Sequence, residues 1–161
     1  MGFTDTGSIL QVTSGIESPA SAVAAYPNLF DTLDVSSATG GFEEVVIYVL
    51  KGRSLEIQNG ATFNIDRVSN KSVIFIIDGD APFPCFHVQS GAICNVGYSG
   101  VSDNYNGLFG DCKLMVMKEF TNSNYFTNVT YRSEGTLNST GVDLISGGNF
   151  FVNGANASLN Y

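Results

Sequence analysis

From residue 42 onward the hydrophobic and polar positions fall into short runs that predict strands. Residues 44–50 form a continuous β-rich run. Segments 55–58 and 62–66 alternate apolar and polar with period two, the pattern of strands with one buried face. A second continuous run covers 72–77, and 86–89, 92–96, 114–116, 125–131 and 150–152 extend the series. Gly, Asn, Asp and Ser punctuate it about every 8–12 positions, as in an all-β sandwich, barrel or solenoid.

The first 41 residues differ. They contain no Lys or Arg; Lys51 is the first basic residue. Their one helix candidate spans Ser18 to Pro27. Ser18 suits the N-cap, Pro19 suits the first helical position, and Pro27 stops the helix after two turns. Residues 28–37 read as a loop or an edge strand, and the small residues 38–41 mark a boundary. The sequence therefore predicts an N-terminal cap or anchor segment, 1–41, with one short helix, followed by a β domain, 42–161.

An internal repeat chooses among the β architectures. Residues 56–66 and 87–97 share Gln58/Gln89, Gly60/Gly91, Ala61/Ala92 and Asn64/Asn95 at a shift of 31 residues. Ile57/Val88 and Ile65/Val96 are conservative. Residues 151–159 repeat the theme around Gly154 and Ala155, and 133–137 carry a weaker copy around Gly135. The unit is an apolar strand, a polar-Gly corner, a small residue and another apolar strand. Glycine supplies a left-handed corner without steric cost. Stacked units bury a column that no single unit buries alone. The expected fold is all-β: a short right-handed parallel β-helix with the N-terminal segment as its cap. A β-sandwich or jelly roll, with Asn-Gly and Ser-Gly hairpins, is the alternative. The copies are unevenly spaced, which places insertions at 78–84 and 97–111. Residues 42–161 hold about four to five coils of ~20–30 residues.

Composition agrees with strands joined by small polar turns. Gly, Ser, Thr and Asn total 61 of 161 residues, and 15 Val outnumber 10 Leu. The net charge of −8 argues against a nucleic-acid or anionic-membrane partner. No apolar run reaches the ~18 residues of a membrane span. The opening residues lack the basic and apolar regions of a secretory signal, so the four sequons at Asn70, Asn128, Asn138 and Asn156 are read as a product of high Asn content.

Candidate chemistry is sparse. Cys85, His87, Cys94 and Cys112 are four potential zinc ligands. In the repeat Cys94 aligns with Phe63 and points inward, whereas His87 aligns with Glu56 and points outward; Cys85 shares the phase of His87. The set is therefore divided, and no metal or other cofactor is expected. Asp78-Gly79-Asp80, with Asp66, offers carboxylates for Ca²⁺ or for glycoside hydrolysis, but reads better as turn chemistry. His87 is the sole histidine, and no nucleophile elbow, Walker loop or dinucleotide fingerprint occurs. Phe83, Tyr98, Tyr105 and Phe109 lie in the two insertions, where they can stack on sugar rings or pack against another protein.

The Gly-Ala-punctuated units Gln58-Asn59-Gly60-Ala61, Gln89-Ser90-Gly91-Ala92 and Asn153-Gly154-Ala155 sit in a lysine-poor chain rich in Asn, Ser and Thr. In this the chain resembles virion structural proteins of tailed bacteriophages: head decoration proteins, head fibres and tail spikes. The resemblance covers about 42–161 and is one of style rather than motif. It implies a particle-surface role with attachment through the N-terminal segment, and it carries over no active-site residues. The chain ends in strand pattern with no polar tail, which points to a subunit that needs a neighbour. The sequence thus predicts a non-enzymatic virion protein, capsid-decorating or fibre-like. Its partners would be its own copies, as a homotrimer, and a capsid or tail protein. A carbohydrate-binding module for a host-surface glycan and a polysaccharide-degrading β-helix using Asp78 and Asp80 are the alternatives.

Overall fold

The computed structural model describes residues 2–35, 45–68, 71–78, 81, 84–96, 112–117, 130–133, 135–139, 149–152 and 158–160. The chain is predominantly β. The strands are β1 (Phe3–Asp5), β2 (Ile9–Val12), β3 (Ile16–Glu17), β4 (Phe30–Val35), β5 (Val45–Leu50), β6 (Ser54–Ile57), β7 (Thr62–Ile65) and β8 (Ser72–Asp78). They continue as β9 (Phe86–Val88), β10 (Ile93–Val96), β11 (Lys113–Met117), β12 (Thr130–Ser133), β13 (Thr136–Ser139), β14 (Asn149–Val152) and β15 (Ser158–Asn160). One helix, α1 (Pro19–Ala25), and a 3-10 turn, Pro27–Leu29, lie between β3 and β4.

The strands form three sheets. The first has the order β1-β2-β6-β9-β12-β14, the second β15-β13-β10-β7-β3, and the third β11-β8-β5-β4. The sheets are mixed. β1 pairs with β2, and β4 with β5, antiparallel; the other pairings between named strands are parallel. Register follows the sequence repeat. Phe63 lies opposite Cys94, and Asn64 opposite Asn95, each pair 31 residues apart.

Side-chain alternation sets the core. In the first sheet Leu10, Leu55 and Phe86 stack across paired positions, as do Val12, Ile57 and Val88. In the second, Phe63 stacks on Cys94 and Ile65 on Val96; in the third, Tyr48 on Phe75 and Phe75 on Leu114. All are buried, and all belong to one cluster to which the three sheets contribute. Phe63 and Phe75 meet edge to face at 5.6 Å, tying the second sheet to the third. The dense apolar runs of β5 and β8 have a further cause. Val46, Tyr48, Leu50, Val73, Phe75 and Ile77 enter the main core, while Val49 and Ile76 form a separate small cluster with Ile47 and Ile74. A strand with apolar residues on both faces loses its alternation.

The corners explain the glycines. Gly60 and Gly91 have φ of 84° and 80°, where a side chain costs of order 1–2 kcal/mol. The Ala61 N–H donates to the Gln58 carbonyl and the Ala92 N–H to the Gln89 carbonyl, closing equivalent turns. The Gly60 N–H donates to the Gly91 carbonyl at 3.1 Å, so one corner rests on the next. Gly135 is constrained by space instead: a Cβ there would meet the backbone oxygens of Gln89 and Ala92.

The N-terminal segment is richer than its sequence suggested. The helix forms as expected, with Ser18 and Ser21 in a reciprocal capping box and Pro19 in the first turn. Residues 28–37 yield an edge strand, β4. But β1, β2 and β3 were not foreseen, and they do not stand apart. β2 pairs with β6 and β3 with β7, and Phe3, Leu10, Val12, Ala22 and Phe30 join the common core. Val12-Thr13-Ser14-Gly15-Ile16 is a further corner, with Gly15 at φ 72° and its carbonyl accepting from the Thr62 N–H. The repeat therefore begins before residue 42.

Candidate functional site

The aromatic residues singled out from sequence, Phe83, Tyr98, Tyr105 and Phe109, lie outside the described residues, as does Asp80. Asp78 ends β8, and its carbonyl accepts the Ala81 N–H at 3.0 Å, the bond that closes a turn. Asp66 uses Oδ1 to accept the Arg67 N–H at 2.7 Å. The Asp66 carboxylate thus caps a local bend, whereas the Asp78 bond is made by its main chain.

The four potential zinc ligands are divided. Cys85, Cys94 and Cys112 are free thiols within the main core. The Cys112 sulfur accepts the Val73 N–H, and the Cys85 thiol donates to the Ala81 carbonyl. Burial pushes the Cys94 thiol far above its ordinary range, which keeps it protonated and inert. Cys94 faces inward as its alignment with Phe63 requires. Cys85 does not face outward as expected: it sits in a bend before β9, where strand phase does not extend, and it is buried. Among the described residues no group of three or more His, Cys, Asp or Glu side chains gathers to hold a metal.

His87 lies on the outer side of the first sheet, in a polar column. Gln11, Glu56 and His87 occupy paired positions on β2, β6 and β9, and Arg132 takes the next on β12. One Glu56 oxygen accepts from the Gln11 and Gln58 amides at 3.0 and 3.1 Å; the other lies 3.3 Å from His87 Nδ1. Such a column links neighbouring strands side chain to side chain. Nearer the N-terminus, Arg53 donates two hydrogen bonds to Asp5. These bonds hold the Asp5 carboxyl below the usual carboxylate range, opposed by partial burial and assisted by the Gly7 N–H.

The outer face of the second sheet gathers different features. Ile16, Thr62, Ile93, Thr136 and Ser158 occupy one row of paired positions. Asn64, Asn95, Asn138 and Asn160 occupy a second. The Asn95 amide donates to the Asn64 carbonyl oxygen at 2.8 Å. Ile16 is 74% exposed and Ile93 39%, in contrast to the buried Phe63 and Cys94 beside them. A groove of about 440 Å³ opens at Ile16, Glu17, Asn64, Asp66 and Arg67. A second, of about 290 Å³, opens at Asn59, Ile93 and Thr136.

No family model, curated protein or solved structure matches the chain. Any functional reading therefore stands on this geometry. The two rows had a visible signal in the sequence, since Thr-x-Asn, Ile-x-Asn, Thr-x-Asn and Ser-x-Asn recur at 62, 93, 136 and 158.

Proposed function

We propose that the chain is a short right-handed parallel β-helix serving as a non-enzymatic virion structural protein, capsid-decorating or fibre-like. The observation that carries the reading is the pairing of repeat on repeat. Parallel ladders join the Gly-marked units in register, with the apolar positions of one unit paired with those of the next. Parallel pairing disfavours the sandwich and jelly roll, which are built from antiparallel sheets. Right-handedness follows from the strong bias of parallel crossovers.

A stack of this kind suits a scaffold. Its outer polar groups satisfy one another along the strands, as Gln11, Glu56 and His87 do, rather than converging on a substrate. The antiparallel β1 and β4 and the helix α1, with Pro19 and Ala22 buried, favour a capped N-terminal end. That cap is part of the core, so any anchoring role belongs to its outer surface. The aromatic glycan reading and the Asp78/Asp80 hydrolase reading gain no support from the described residues.

The test has two arms. Light scattering should give three times the 17.1 kDa chain mass, and mass spectrometry should find the chain in purified phage particles. A monodisperse monomer contradicts the trimer. A chain confined to the soluble lysate contradicts the virion role.

A further inference from the structure

We propose that the outer edge of β4 is a strand-addition site for an extended, basic segment of another protein. β4 closes one side of the third sheet, and among the described residues its one paired strand is β5. The Lys51 N–H donates to the Leu29 carbonyl, which sets the phase of this antiparallel ladder. Asp31 and Leu33 therefore turn their main-chain groups toward Val49 and Ile47, while Thr32 and Asp34 turn theirs away from the sheet. Among the described residues no bond outside that ladder reaches the Thr32 or Asp34 main chain. Asp31, Thr32, Leu33 and Asp34 are all exposed. Outward donors and acceptors at the surface are a template for one more strand.

The side chains select the occupant. Asp31 and Leu33 share the outer face of the sheet, where Leu33 is 49% exposed and pairs with half-buried Ile47. Asp34 falls on the opposite face, by strand alternation. Lys51 and Lys71 reach Asp31 and Asp34 at 2.9 and 3.7 Å, yet both carboxylates stay mostly exposed, and each can accept from a further cation. An added strand would thus meet a carboxylate on either face and an apolar side chain on one. Lysine or arginine interleaved with aliphatic residues matches that pattern. A second copy of β4 does not, because it would line four carboxylates along a six-residue interface. The net charge of −8, with no Lys or Arg before Lys51, likewise favours a basic partner over a second copy. The inference rests on the β4 edge and not on the virion assignment, so either can fail alone.

The experiment is titration of the intact chain with a capped octapeptide alternating lysine and valine, read by calorimetry and by amide hydrogen exchange. The same peptide with glutamate for lysine controls for charge. The lysine peptide should bind saturably, at least about tenfold more tightly than the glutamate peptide, and should slow exchange at the Thr32 and Asp34 N–H groups. Thr32→Pro deletes an outward N–H and no ladder bond, the place where an edge strand tolerates proline. It should weaken binding about tenfold while circular dichroism stays unchanged. If that variant does not fold, Asp31→Lys combined with Asp34→Lys keeps the main chain and should reverse the preference toward the glutamate peptide. The proposal fails if the lysine peptide does not bind at millimolar concentration, if the two peptides bind equally, or if binding leaves exchange at Thr32 and Asp34 unchanged. An oligomer of the free chain that Thr32→Pro dissociates would also overturn it, by giving the edge to a second copy.

Discussion

Asn95 on β10 donates its side-chain amide to Asn64 on β7 across 2.8 Å, at directly paired positions 31 residues apart. The bond repeats on the surface the stacking that Phe63 and Cys94 make beneath it. Asn64→Ala removes the acceptor of this bond. The expected loss is about 0.5–1.5 kcal/mol, read from the urea midpoint at unchanged slope. A neutral result would mean that the two amides do not couple the strands.

The corner glycines should differ in cost. Gly60→Ala meets open space but keeps φ at 84°, and should cost about 1–2 kcal/mol. Gly91→Ala adds a contact with the Asn59 side chain to the same strain. Gly135→Ala drives a Cβ into backbone oxygens, which cannot rotate away, and should be the most damaging. Thermal unfolding of the three variants gives the order; Gly135→Ala as the mildest would contradict the packing of the corners.

Asp5 links acid stability to the N-terminal hairpin. Its folded pKa is lowered, chiefly by Arg53, so its contribution is present above the unfolded value of ~3.9. That contribution disappears as pH falls through the folded value. Asp5→Asn should therefore lower the melting temperature at pH 7 and match the wild type once the pH is below the folded pKa. Comparing the two melting curves from pH 7 to pH 2 checks this; a gap that persists at low pH would place the effect elsewhere.

Thiol chemistry reports on the core. Cys85, Cys94 and Cys112 are buried, and burial raises the Cys94 pKa. A disulfide-exchange reagent at pH 8 should leave Cys94 unmodified in the native chain and label it fully in denaturant. Cys94→Ser places a hydroxyl in an apolar column and should cost about 1–3 kcal/mol, whereas Cys94→Ala loses only the packing of one sulfur. Rapid native labelling of Cys94 would contradict its inward position.

How much of this was legible varied with position. Strands β6, β7, β9 and β10 could be read because Leu55, Ile57, Phe63 and Ile65 alternate with polar residues and recur as Phe86, Val88, Cys94 and Val96. β1 to β3 could not, because the corner at Gly15 is followed by Ile16 and lacks the alanine that marks the corners at Gly60 and Gly91. Cys85 was misplaced because strand phase was carried past the start of β9 into a bend. The outer rows of the second sheet were present as Thr62-x-Asn64 and Ile93-x-Asn95. Their meaning depends on pairing, which brings together residues that no local window joins.

The central claim is that Gly-marked repeats stack in parallel, and inter-strand nuclear Overhauser contacts in isotope-labelled protein test it most directly. The account predicts parallel contacts at Phe63–Cys94 and Asn95–Asn138, with every step in the same chain direction. Close Hα–Hα contacts of antiparallel pairs between β7 and β10 would contradict it and return the chain to a sandwich.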